Sequence, residues 1–133
     1  GAIIVADETV SIPHMALRTA RFYHHESCGK CTPCREGTNW LEKILARIIA
    51  GDGRPSDVGM LLDVCDNISP GITWPPRQTT ICPLGPSAVS PIASAVLRFR
   101  DEFERYVGGA FDVPVAVKGA AYNSQPASES AGV

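Results

Sequence analysis

Trp40-Leu41-Glu42-Lys43-Ile44-Leu45-Ala46-Arg47-Ile48-Ile49 is the stretch that decides the fold class. Its apolar residues recur three and four apart, with charged residues between them, which is the period of an amphipathic helix. The spacing predicts a helix from about Cys34 to Ala50, with Trp40, Leu41, Ile44, Leu45, Ile48 and Ile49 as its buried face. Gly51-Asp52-Gly53 closes it as a C-cap and turn. Upstream, Ser11 is a candidate N-cap and Pro13 suits a first turn. Ile12, Met15, Ala16, Thr19, Ala20, Phe22 and Tyr23 then make a second helical stripe. Downstream, Ser56 or Asp57 caps a shorter helix carrying Val58, Leu61, Leu62, Cys65 and Ile68, stopped by Ser69-Pro70-Gly71. A Pro-rich loop, residues 73–77, leads to a last helix from Pro86 or Ser87 to about Val107. Its stripe is Val89, Ile92, Ala93, Val96, Phe99, Phe103 and Tyr106, and Pro91 is expected in its first turn. The expected fold is all-α: a small four-helix bundle over residues 11–107.

The two ends read differently. Ala2-Ile3-Ile4-Val5 has β-strand character but no partner strand follows, so residues 1–10 read as the end of something longer. After Gly108-Gly109 the helical period is lost. Phe111, Val113, Val115 and Val117 alternate as in an extended arm, and residues 124–133 have the composition of a disordered tail. Residues 108–133 are therefore expected to be extended or disordered.

At 133 residues, with 44% hydrophobic and 20% charged residues, the chain has the composition of a globular protein. A net charge of -2 gives no basic footprint for nucleic acid. No apolar run approaches the roughly 20 residues of a membrane span. There is no secretory signal pattern at the start.

Chemistry concentrates at Glu26-Ser27-Cys28-Gly29-Lys30-Cys31-Thr32-Pro33-Cys34-Arg35-Glu36-Gly37, where three of the five cysteines fall within seven residues. Two C-x-x-C steps sharing their middle cysteine resemble the ligand run of iron–sulfur ferredoxins. A tight turn lets three thiolates converge on one side of the backbone while N–H groups point at the sulfurs. Lys30, Arg35 and the N-terminus of the second helix add positive potential for an anionic cluster. The next cysteine of a bacterial ferredoxin would fall at Thr38, so a cubane needs a fourth ligand from elsewhere. Cys82, in Thr80-Ile81-Cys82-Pro83-Leu84-Gly85, lies in a loop before a helix and is the better candidate. Cys65 competes, but its place on an apolar stripe reads as a buried, inert thiol.

Other chemistries stay open at this point. Structural zinc usually takes separated ligand pairs instead of a triplet plus one distant residue. A redox couple at Cys28 and Cys31 lacks a βαβ context. His24, His25 and Glu26 can ligate or relay protons, yet also read as the solvated end of the first helix. Gly51-x-Gly53 follows a helix, so it is not a dinucleotide fingerprint. Trp40 and Trp74 suit a core anchor and a loop-packing residue.

Residues 26–37, then Thr80-Ile81-Cys82-Pro83-Leu84-Gly85 and Phe99-Arg100-Asp101-Glu102-Phe103, resemble the C-terminal part of the NADH-binding flavoprotein subunit of respiratory NADH:quinone oxidoreductase, complex I. The resemblance covers roughly residues 1–107. NAD-reducing hydrogenases and NAD-dependent formate dehydrogenases carry related sequences, and the T-I-C form at Cys82 inclines toward the respiratory enzyme. The resemblance implies a 4Fe–4S cluster on Cys28, Cys31, Cys34 and Cys82. It implies that FMN and NADH bind in an upstream domain of the same subunit, and that Gly1–Val5 is the last strand of an intervening β domain. Electrons would pass from reduced flavin through this cluster to neighbouring iron–sulfur subunits. The resemblance also implies a peripheral arm of a membrane-bound complex, on the cytoplasmic face in a bacterium or the matrix side in a mitochondrion. The chain alone, lacking flavin and nucleotide sites, is expected not to oxidise NADH. Two departures stand out. The Cys34–Cys82 span is longer than the family suggests, with the excess at residues 72–79. Pro83 and Pro86 stand where Ala and Asp are expected.

Overall fold

The computed structural model describes residues 3–71 and 79–108. Five helices stand in order among them: α1 (Ile12–Glu26), α2 (Thr32–Ile49), α3 (Asp57–Ile68), α4 (Leu84–Arg98) and α5 (Arg100–Val107). There is no strand among the described residues, so the fold is all-α. α1 packs on α2 and α4, and α3 packs on the same two helices, closing a four-helix ring. α5 packs against α2 and α4 and also touches α1 and α3.

The expected fourth helix is two helices. The chain bends at Phe99, whose φ of -125° and ψ of 33° leave the helical region. α4 also begins earlier than expected, at Leu84, because Pro83 and Pro86 are compatible with an N-cap and a first turn. Pro91 consequently sits two turns into α4, on an exposed position, where its missing N–H leaves the exposed Ser87 without a helical donor. α2 likewise starts at Thr32, with Pro33 in its first turn. Gly51 adopts φ 84° after α2, and the Asp52 amide donates back to the Arg47 carbonyl at 3.1 Å, a Schellman closure.

Leu17, Leu41, Leu45, Ile48, Val58, Leu61, Ile68, Ile92, Val96 and Phe103 form the centre of the core. Three aromatic residues expected in it are exposed instead: Phe22, Trp40 and Phe99. The reason is phase. α1 buries Pro13, Ala16, Leu17 and Ala20, a stripe that Phe22 misses by two residues. α2 buries Leu41, Ile44, Leu45 and Ile48, and Trp40 lies about 100° around the helix from Leu41. Phe99 is at the bend. Residues 3–6 have no regular structure and Ile3, Ile4 and Val5 are exposed, so the expected strand finds no partner here. The extended or disordered tail expected at 108–133 lies, apart from Gly108, outside the described residues, as do Trp74 and most of the long inter-cysteine loop.

Ser11 is the N-cap of α1, but its hydroxyl makes no capping bond. It turns inward, 2.9 Å from the Tyr106 hydroxyl and 3.0 Å from His14 Nδ1. The Glu102 carboxylate accepts from the Ile12 amide at 3.0 Å instead, so α5 caps α1.

α2 and α3 are joined by one ion pair. Asp57 is fully buried and accepts from Arg47 Nε at 2.8 Å, Arg47 Nη2 at 2.6 Å and the Arg54 amide at 2.8 Å. The Arg47 hydrogen bonds hold its carboxyl below the usual value of 3.8, against the opposing effect of burial. Asp57→Asn is expected to lower unfolding stability by about 2 kcal/mol at neutral pH, less than for a fully enclosed pair because Arg47 is a third exposed. A depressed carboxyl stabilises the fold above its unfolded pKa and loses that contribution as pH falls toward the folded value. The gap between wild type and Asp57→Asn should therefore narrow below about pH 4, read by urea unfolding across pH. A constant gap would mean the carboxylate charge is not what Arg47 holds.

Candidate metal centre

The site forms where two helices begin. α1 ends at Glu26, and Ser27 is extended. The chain then turns through Gly29, whose φ of 73° favours glycine, and enters α2 with Cys31 as its N-cap and Cys34 in its first turn. Arg35 fastens this turn: its Nη1 donates to the Gly29 carbonyl at 2.8 Å while its Nε donates to Glu36 at 2.9 Å. The guanidinium thus clamps the turn and is also paired with an acid. Lys30 is exposed.

Cys82 arrives from the other side. It precedes Pro83, the N-cap of α4, and its carbonyl accepts from the Thr80 hydroxyl at 2.7 Å. Thr79 donates its hydroxyl to the Ile68 carbonyl at 2.5 Å, tying the same loop to the end of α3. Cys28, Cys31, Cys34 and Cys82 all line one cavity of about 160 Å³, with Ile81 and Leu84 on its wall. Cys34 is buried, Cys31 half-buried, Cys28 and Cys82 exposed. The N-termini of α2 and α4 both open at this cavity, a favourable place for net negative charge. Four thiols make a soft donor set, which suits iron–sulfur chemistry; Glu26 and Lys30 also line the cavity, with the Glu26 carboxylate 3.0 Å from His25 Nδ1.

Burial pushes the Cys34 thiol up; the Ser27 hydroxyl opposes this, and Cys31, Cys82 and Cys28 add to the rise. The four thiols are therefore close enough to oppose ionisation at Cys34, an opposition that a cationic metal core relieves. Cys65 stands apart. It is fully buried in the core, and burial pushes its thiol up to about 12, as fits an inert structural cysteine.

Other residues singled out by sequence are elsewhere. Thr38, at the ferredoxin position of a fourth cysteine, is buried and donates its hydroxyl to the Cys34 carbonyl at 2.8 Å. His24 Nδ1 meets Glu42 at 2.6 Å and faces α2, and exposed His25 pairs with Glu26 at 3.0 Å. Neither imidazole lines the cavity. Sequence reasoning passed over Ser27, whose Oγ lies 3.4 Å from Cys34 Sγ. It also passed over Gly37 and Gly85, each three residues after a site cysteine, a repeated spacing that was visible in the sequence.

Comparison with known proteins agrees with this geometry. The family described as "NADH-ubiquinone oxidoreductase-F iron-sulfur binding region" matches residues 14–106. The F subunit of the NADH-quinone oxidoreductase of Mycobacterium tuberculosis is 44% identical over 108 residues, covering 81% of this chain and 22% of the relative. The corresponding F subunit of Streptomyces coelicolor is 46% identical over 103 residues, 77% of this chain and 21% of the relative. That of Rickettsia bellii is 41% identical over 104 residues, 78% of this chain and 23% of the relative. A crystal structure of an NAD+-reducing [NiFe]-hydrogenase in the H2-reduced state superposes with a TM-score of 0.68 at 28% identity, covering 86% of this chain and 20% of that one. The chain spans about a fifth of the length of these relatives. With its matched segment holding all four clustered cysteines, the chain belongs to the iron–sulfur binding region family of the NADH-ubiquinone oxidoreductase F subunit, whose cofactor is a 4Fe–4S cluster.

Proposed function

We propose that Cys28, Cys31, Cys34 and Cys82 are the four ligands of that cluster. We further propose that the chain serves as an electron relay within an NADH:quinone oxidoreductase. One observation carries the ligand assignment: a compact triplet and one distant loop cysteine line the same cavity. When bound, the cluster supplies a site that takes up and releases one electron at a time. The protein's part is mechanical and electrostatic. The helical ring brings both thiol-bearing segments to the starts of α2 and α4. Ile81 and Leu84 place apolar surface on the cavity wall, and two helix N-termini face the added negative charge. Buried Cys34 anchors the site, while Cys28 and Cys82 present its open edge.

In this reading FMN and NADH bind in the upstream part of the complete polypeptide, and neighbouring iron–sulfur subunits receive the electrons. The place of such an assembly is a peripheral arm, and no described helix is long and apolar enough to cross a membrane. A second reading, the diaphorase component of an NAD-reducing hydrogenase, is favoured by the structural likeness, but the NADH-quinone oxidoreductase relatives are markedly more identical. A structural zinc module is the rival reading, but zinc usually takes its ligands as two separated pairs instead of a triplet plus one distant cysteine.

Anaerobic purification of the protein separates these readings. A brown protein holding iron and acid-labile sulfide in equal amounts, with an EPR signal on reduction, supports the relay. A colourless protein with one tightly bound zinc overturns it.

A further inference from the structure

We propose that Ser27 is a positioning residue that sets the reduction potential of the cluster through Cys34; the inference rests on Cys34 being a ligand. Ser27 Oγ lies 3.4 Å from Cys34 Sγ. In the free thiol either atom can donate. A ligating sulfur is a thiolate and has no proton, so only the Ser27 hydroxyl can donate. The other side of the same oxygen is already used: the Gly29 amide donates to Ser27 Oγ at 3.4 Å. That amide sits in the turn held by Arg35 on the Gly29 carbonyl. The oxygen therefore accepts from the turn and directs its own proton at the sulfur. Cys34 is also the most buried of the four site cysteines, where a hydrogen bond is least diluted by water. Ser27 thus ties the triplet's first turn to its last thiol.

A donor at a ligand sulfur favours the reduced cluster, because reduction adds negative charge beside it. Removing it should lower the potential. We expect Ser27→Ala, in the complete protein with its cluster, to shift the reduced-to-oxidised preference about tenfold, a midpoint about 59 mV more negative for one electron. The shift is read by EPR-monitored redox titration. Ser27→Thr keeps the hydroxyl and should return the midpoint to near wild type. An unchanged midpoint in Ser27→Ala at full iron content overturns the proposal, as does a shift that Ser27→Thr fails to reverse. If Ser27→Ala loses the cluster while Ser27→Thr keeps it, the hydroxyl holds the cluster instead of tuning it, and the proposal is overturned. Loss from both variants makes the role steric and overturns the proposal. Iron and sulfide analysis of the wild type, and of Cys34→Ser, tests the ligand assignment separately. A wild type without iron–sulfur, or a Cys34→Ser variant with undiminished cluster, sinks that assignment whatever Ser27 does.

Discussion

Cys82→Ser should strip most of the iron and sulfide from the protein, whereas Cys65→Ser should leave both close to wild type. Cys82 is exposed in the loop ahead of α4, so changing its sulfur to oxygen removes almost no packing. Loss of cluster there would report ligation and not unfolding, which far-UV circular dichroism of the variant can check. Cys65 is the reverse case. It is fully buried on α3 and does not line the cavity, and a hydroxyl placed there costs about 1–3 kcal/mol of stability. Urea unfolding should register that cost while iron content holds. If the two variants exchange behaviour, the fourth ligand is Cys65 and the loop has no part in the site.

The helical period is legible because it is local: each buried stripe in α1, α2 and α3 repeats within one element. The break at Phe99 is not legible, since no proline or glycine marks it and the apolar stripe runs on through Phe103 and Tyr106. The bend lets α5 pack against α2 and cap α1, contacts that lie far away in sequence. Phe22 and Trp40 mislead because hydrophobicity alone cannot tell the edge of a stripe from its centre. At the site, the triplet can be read from spacing, and the choice of Cys82 over Cys65 from loop against stripe. What spacing cannot show is how two segments far apart in sequence are brought to one cavity. That depends on contacts through α3, which carries no site residue.

Gly37→Ala and Gly85→Ala should each cost about 1–3 kcal/mol and lower cluster content, because both glycines rest on one buried isoleucine. A Cβ at Gly37 would lie 2.5 Å from Ile68 Cγ1 and Cδ1. One at Gly85 would lie 2.6 Å from Thr80 Cγ2, 2.7 Å from Thr80 Oγ1 and 3.1 Å from Ile68 Cγ2. Carbon atoms ordinarily pack at about 3.5–4.0 Å, so something must move. Ile68 is fully buried, and Thr80 is held to the Cys82 carbonyl. Gly37 lies one turn beyond Cys34 on α2, and Gly85 lies in the first turn of α4 just beyond Cys82. Ile68 therefore works as a shared stop that sets how near the two thiol-bearing segments come. Pushing either glycine off it should widen the cavity between Cys34 and Cys82. Gly59→Ala on α3 is the control, since nothing lies within 4 Å of its Cβ, and it should be neutral or gain up to about 1 kcal/mol. Pairing Gly37→Ala with Ile68→Ala should cost at least about 1 kcal/mol less than the two changes taken singly, because the smaller side chain removes the clash. Additive costs, or a Gly37→Ala variant as stable and iron-rich as Gly59→Ala, would mean that Ile68 does not set the spacing, and that the triplet and the loop are held together by some other contact.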